Sequence, residues 1–188
     1  MRIATFLITL TFAVSAIAGT RAGVTMPDTV TLGDTTLTLN GMGLREATML
    51  KVDVYVAGLY LENVSSDPSK IIGSNELKMI RLRFKRDVGR DDIIKAWNEG
   101  FARNATVPVQ TLKPMIAQLD SWMPSFEKGD TLTFIIVPRR GVAVEINGLR
   151  KGVIDDDNFA RSLVSIWLGP NPPTGSLKSG MLGRHPSA

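Results

Sequence analysis

Two neighbouring runs constrain this chain more than any other part of it. Leu39-Asn40-Gly41-Met42-Gly43-Leu44-Arg45 and Val54-Tyr55-Val56-Ala57-Gly58-Leu59-Tyr60-Leu61-Glu62 read as two long strands joined by a tight connection. In the second, Val52, Val54 and Val56 alternate with Lys51, Asp53, Tyr55 and Ala57, which is the period of a strand. The alternation assigns the valines to one face and Tyr55 to the other, beside Asp53. Gly58 within the run signals a bulge or the close approach of another element. Because the first run ends in Arg45, a guanidinium and a phenol come together on adjacent strands, and both donate to the same anion. The pair is a candidate receptor for a carboxylate or phenolate. The competing reading is a surface arginine that pairs with Glu46 or Asp53.

The flanking sequence supplies more strands and then changes period. Val24 to Leu39 reads as β-structure broken by the turn signal Gly33-Asp34. Glu76 to Lys85 is a strand with Ile80, Leu82 and Phe84 inward and Arg81, Arg83 and Lys85 outward. Between them, Asp67-Pro68 opens a short helix with Ile71-Ile72. Asp91-Asp92 begins a longer helix in which Ile93, Trp97 and Phe101, with Ile94 beside them, form an apolar stripe, and Asn104 and Pro108 stop it. A second helix covers Val109 to Trp122, with Leu112, Met115, Ile116 and Leu119 inward, although Pro114 argues for a later start. Such stripes ordinarily form core; in a fold that holds a lipid chain they line the tunnel.

Thr131–Val137 and Val142–Ile146 make a hairpin across Pro138-Arg139-Arg140-Gly141, and Asn147-Gly148 starts another tight turn. Asp155-Asp156-Asp157 precedes the apolar positions Phe159, Leu163, Ile166 and Trp167. Three consecutive carboxylates do not converge on a metal, so the triplet reads as a helix cap with favourable dipole charges. The tail from Gly169 is rich in Pro, Gly and Ser, with Leu177, Met181 and Leu182 as docking anchors. Sequential strands on short connections, with helices mid-chain and late, argue for one α+β domain built on a mainly antiparallel sheet.

Composition removes most chemistry. Residues 1–18 have a basic start, an apolar core of about a dozen residues and an A-x-A ending at Ala18, the pattern of a secretory signal peptide, with Ala22 as a later cleavage alternative. The domain is then 19–188, exported to a periplasm or secreted, with no stable membrane span once the signal is removed. There is no cysteine, and His185, in the polar tail, is the one histidine. Thiol catalysis, thiolate sites, a Ser-His-Asp relay and histidine metal clusters are therefore excluded, and no cofactor is expected. A net charge of +4 and a pI near 9.6 raise nucleic acid as a partner. Export and the dispersal of the basic residues argue against it, and Arg81 to Arg86 alternates with apolar positions as the outer face of a strand does.

At this point the sequence resembles the chalcone isomerase-like family, especially its exported bacterial branch. The resemblance rests on Gly41-x-Gly43-Leu44-Arg45, on Lys51-Val52-x-Val54-Tyr55-Val56-Ala57-Gly58-Leu59-Tyr60-Leu61, and on Ala96-Trp97-Asn98-Glu99-Gly100. Phe126-x-x-Gly129-Asp130, Gly152-Val153-Ile154 and the ending Trp167-Leu168-Gly169 through Leu177-Lys178-x-x-Met181-Leu182-Gly183 extend it over nearly the whole mature chain. It implies an open-faced β-sandwich, a large antiparallel sheet covered by a helical layer, with a ligand cleft between them. It also implies three functional branches: plant enzymes that close a chalcone to a flavanone, fatty-acid binders, and a branch without a known ligand. Arg45 matches the arginine shared by enzymes and binders, and Tyr55 falls where the binders have a tyrosine that helps hold a carboxylate.

The isomerase set is largely missing. Its tyrosine belongs near Gly89 or Arg90, its asparagine near Ala96 or Trp97 with Asn98 out of register, and Lys151 stands where the enzyme has threonine. The resemblance thus implies a non-catalytic binder of a small apolar carboxylate such as a fatty acid. Arg45 and Tyr55 would hold the head, and the chain would lie along Ile94, Trp97, Phe101, Ile116 and Leu119. The alternatives are an intramolecular lyase acting on an enone and an envelope structural or partner-binding module.

Overall fold

A computed structural model describes residues 18–47 and 52–184. The signal-peptide assignment and His185 lie outside the described residues, apart from Ala18. In chain order the elements are β1 (Ala18–Arg21), β2 (Val24–Pro27), β3 (Thr29–Leu32), β4 (Thr35–Ala47), β5 (Val52–Leu61), α1 (Pro68–Gly73) and β6 (Lys78–Phe84). They continue with α2 (Arg90–Asn104), α3 (Val109–Trp122), β7 (Thr131–Val137), β8 (Gly141–Ile146), β9 (Leu149–Ile154), α4 (Asp157–Leu168) and α5 (Gly175–Met181). Strands β3 to β9 form a seven-stranded antiparallel sheet in sequence order, while β1 and β2 form a separate hairpin. The large antiparallel sheet under a helical layer is the α+β open-faced architecture expected.

One face of the sheet carries the main core. Tyr55, Ala57, Leu59 and Leu61 of β5, Ile80, Leu82 and Phe84 of β6, and Leu132, Phe134 and Ile136 of β7 pack there against α2, α3 and α4. The other face carries a smaller cluster in which Met42, Val56, Tyr60, Met79 and Ile135 meet Met26 of β2. Gly58 is a site of close approach: a Cβ there would sit 2.5 Å from the Met26 sulfur. Tyr60 donates from its hydroxyl to the Pro27 carbonyl at 2.9 Å, which ties the hairpin to this face.

Capping follows the sequence signals. Asp67 accepts from the amides of Ser69 and Lys70, and Asp156 accepts from Phe159. The acidic triplet therefore supplies a cap, and among the described residues no cluster of metal-ligating side chains occurs. No described helix is long and apolar enough to cross a membrane.

The structure corrects three local expectations and bears out the Val109–Trp122 span of α3 in spite of Pro114. The valine face of β5 is broken, because the β4–β5 register shifts between Arg45 and Glu46; Val54 packs with the main core and Val56 with the smaller cluster. A bulge of this kind adds a residue to one strand and resets its alternation. Helix α3 starts at Val109 with Pro114 inside it. Pro114 and Gln110, whose carbonyl loses its partner, both lie on the exposed side where water can satisfy it. Leu149–Ile154 forms an edge strand, and the tail contains the helix α5, in which Leu177 and Met181 are fully buried.

That tail helix explains the Gly41-x-Gly43 spacing. Backbone of α5 lies directly on β4: a Cβ at Gly43 would clash with the Leu177 carbonyl and sit 2.8 Å from its Cδ1, and one at Gly41 would lie 2.6 Å from the Gly183 nitrogen. Asn40 completes the seam by donating to the Met181 carbonyl at 2.9 Å.

Candidate functional site

Arg45 and Tyr55 are direct cross-strand partners in the β4–β5 register, so their side chains leave the same face of the sheet. Ion pairing does not account for the arginine among the described residues. Asp53 is engaged by Lys85 at 2.6 Å, and the Arg45 guanidinium donates to the backbone carbonyl of Glu46 instead. Tyr55 is 6% exposed, with its ring edge-on to Phe84. Its hydroxyl oxygen accepts a hydrogen bond from Trp167 Nε1 at 3.1 Å, which leaves the phenol hydrogen free to donate.

Burial pushes the Tyr55 phenol up to about 12, opposed by the Trp167 hydrogen bond and the Arg45 charge. At neutral pH it is therefore a donor and never a phenolate. Tyr60 is also raised to about 12 by burial. An exposed phenol ionises near pH 10, so between ~10 and ~12 the folded chain holds protons that the unfolded chain releases. Stability contributed by the two tyrosines is fully present below about pH 10 and is lost as pH rises toward 12, by about 3 kcal/mol for the fully buried Tyr55 at the top of that window and by less for Tyr60. Urea melts from pH 9 to 12 should show this decline, and Tyr55→Phe should remove the larger part of it; a flat wild-type profile would disprove the assignment.

The Arg45–Tyr55 pair faces a cavity of about 380 Å³ between the sheet end, α2, α4 and the 171–173 segment. Its apolar wall includes Val54, Val88, Ile93, Trp97 and Ile166. Arg86, Asp92, Glu99 and Arg103 also line it, and Glu99 pairs with Arg103 at 3.4 Å one helical turn on. The segment carrying Asn171 is held by the buried Asn104, which accepts from the Asn171 amide at 2.9 Å and donates to its carbonyl at 2.9 Å. Gly100 lets α2 approach α4 closely, since a Cβ there would sit 2.8 Å from Ile166 Cγ2.

The expected site residues separate into two groups. Arg45, Tyr55 and Trp97 are brought together in the cavity wall. Ile94 is half-buried outside that wall, Phe101 is fully buried against Phe159 with ring centroids 5.2 Å apart, and Ile116 and Leu119 are core. Trp97, Phe134 and Trp167 fill the space between helix and sheet, so the helical stripe past Trp97 packs as core. Trp167, Arg86 and Arg103 were not marked as site residues by sequence; only the positive run at 81–86 hinted at one of them. Among the isomerase-like positions, Asn98 is exposed and bonded to Asp120 at 2.9 Å, and Arg90 bonds to the carbonyls of Met123 and Asp120. Lys151 is exposed on β9. None of these three lines the cavity.

A family model described as chalcone isomerase-like matches residues 18–183. Among solved structures, the fold is similar to the crystal structure of a fatty-acid binding protein of Arabidopsis thaliana, with a TM-score of 0.73 at 18% sequence identity, covering 88% of this chain and 96% of that one. At such identity the likeness speaks for the fold. No curated protein matches the sequence.

Proposed function

The chain belongs to the chalcone isomerase-like family, and from that premise we propose that it is an exported, non-catalytic binder of a small apolar carboxylate, a fatty acid being the type. The observation that carries the proposal is a guanidinium and an un-ionised phenol on directly paired positions, facing one cavity whose wall is partly apolar. Burying a carboxylate demands partners of this kind, because an unpaired buried charge is far costlier than a paired one. The fold similarity to a plant fatty-acid binding protein supports the same reading. A non-catalytic role is supported by what surrounds the cavity. Asn98 and Lys151, the nearest polar side chains to the isomerase pattern, lie outside it.

The volume gives the scale of the part of the ligand that the cavity holds. At roughly the 30 Å³ that a water molecule occupies in the liquid, 380 Å³ holds about a dozen non-hydrogen atoms, so dodecanoate is a suitable probe. The full-length precursor, expressed with its leader and recovered from the exported fraction, should have an intact mass starting at Gly19. Native mass spectrometry should show one carboxylate per chain, removable by organic extraction and replaced by dodecanoate with a saturable isotherm. An extracted protein that shows no saturable dodecanoate binding would overturn the proposal.

A further inference from the structure

Part of the cavity wall comes from a segment with almost no backbone donors of its own. Residues 170–173 read Pro170-Asn171-Pro172-Pro173, so Asn171 carries the one backbone N–H among them. A helix turn or a strand ladder cannot be built on a single donor, and the segment connects α4 to α5 in neither form. Asn171 and Pro173 nevertheless line the cavity together with Ile93, Gly100 and Ile166.

That one donor is taken by Asn104, the last residue of α2 and 6% exposed. Asn104 Oδ1 accepts from the Asn171 amide and its Nδ2 donates to the Asn171 carbonyl, both at 2.9 Å. Nδ2 also donates to the Gly100 carbonyl at 3.2 Å, which fixes the side chain against its own helix. A carboxamide holds donor and acceptor at once, so it engages both backbone groups of Asn171 as a neighbouring strand would. Asn171 Nδ2 returns a bond to the Arg103 carbonyl at 3.2 Å, one of the carbonyls that a helix end leaves without an intrahelical partner. Gly169 permits the approach, since a Cβ there would sit 2.8 Å from Asn104 Oδ1. The bond from Lys178 to the Gly169 carbonyl holds the start of the segment and not the residues that line the cavity.

We infer that Asn104, which does not itself line the cavity, is a positioning residue for the ligand: it pins Asn171 and so keeps this part of the wall formed before the ligand arrives. This rests on the binder reading above. It adds to that reading a residue behind the wall on which affinity depends. Without the pin, binding must order the segment, and the apparent affinity falls by the fraction of time the wall is formed; a wall formed about a tenth of the time binds about tenfold more weakly.

Two measurements on the full mature chain test it. Asn104→Leu, close in volume but without the amide, should weaken dodecanoate about tenfold when titrated well below its melting temperature. A purely structural Asn104 would lower the melting temperature and leave the affinity of the folded protein as it is. In wild type, residue-resolved amide exchange at Asn171 should slow about tenfold on saturation with dodecanoate. The Thr131 amide, held in the same way by Asn147 Oδ1 at 2.8 Å but outside the cavity lining, should not change. The exchange measurement needs no variant, so it decides the matter even if Asn104→Leu folds poorly. Saturable dodecanoate binding with unchanged Asn171 exchange, or with wild-type affinity in Asn104→Leu, overturns this inference and leaves the binder reading intact. No dodecanoate binding by wild type removes both.

Discussion

Arg45→Leu is expected to lower dodecanoate affinity about a hundredfold, because removing one partner of a desolvated charge pair typically costs ~2–5 kcal/mol. Leucine is the informative replacement, since it keeps an aliphatic side chain and removes the charge and its donors. Arg45→Lys should recover part of the loss, as a point charge without the planar fork that grips both carboxylate oxygens. The fold should hardly notice either change. The described hydrogen bond of Arg45 is to the carbonyl of the next residue, and Asp53, a candidate ion-pair partner, is already held by Lys85. Substitutions at such positions usually stay within about 0.5 kcal/mol. Isothermal titration and a thermal melt on the same samples separate the outcomes. An unchanged affinity, or a large drop in melting temperature, would make Arg45 a sheet residue and not a ligand residue.

Gly43→Ala should have the largest effect on stability. The added methyl meets the Leu177 carbonyl oxygen, with the carbonyl carbon 2.9 Å away, so backbone opposes it and no flexible side-chain end can yield. Accommodating it means lifting α5 from β4, and α5 buries Leu177 and Met181 completely. Each such side chain is worth about 1.5–3 kcal/mol when buried, so a loss of 3 kcal/mol or more is expected, roughly 6–12 °C in melting temperature for a domain of this size. Gly73→Ala is the control, because a Cβ there meets nothing within 4 Å. A Gly43→Ala protein that melts with wild type would show that the seam between α5 and β4 is looser than described.

Much of the fold was legible where a local pattern had one physical cause. Ile80, Leu82 and Phe84 alternate with charged residues because one face of β6 meets helices and the other does not. Asp67, Asp91 and Asp156 mark helix starts through the groups that open helices leave unpaired. What escaped depended on partners distant in sequence. Gly175, Ser176 and Gly180 have the composition of a loop, yet they belong to α5, and the absence of a side chain at Gly180 is what allows that helix to lie on β4. The bulge at Arg45 has no signature of its own, and it alone breaks the valine alternation of β5. Leu149–Ile154 lies at the sheet edge with most of its residues exposed, so no clear alternation announced a strand. The site followed the same division. Arg45 and Tyr55 were visible from strand pairing, whereas the bond joining Tyr55 to Trp167 spans 112 residues. Helical spacing placed Trp97 and Phe101 on one stripe, but spacing identifies a face without saying what lies opposite. Opposite Trp97, at the cavity's edge, there are Phe134 and Trp167, and opposite Phe101 there is Phe159.

The bond from Asn40 to Met181 crosses 141 positions of the chain. Contacts of that range close late in folding, since the entropy of the intervening loop must be overcome before they return anything. Without α5 the backbone of β4 is bare at Gly41 and Gly43. The same helix helps to fix the segment that borders the cavity, through Lys178 donating to the Gly169 carbonyl at 2.8 Å. The last helix thus acts as a completeness check: a chain cut short before residue 175 would lack both the cover of its sheet and a tether for the rim of its cavity.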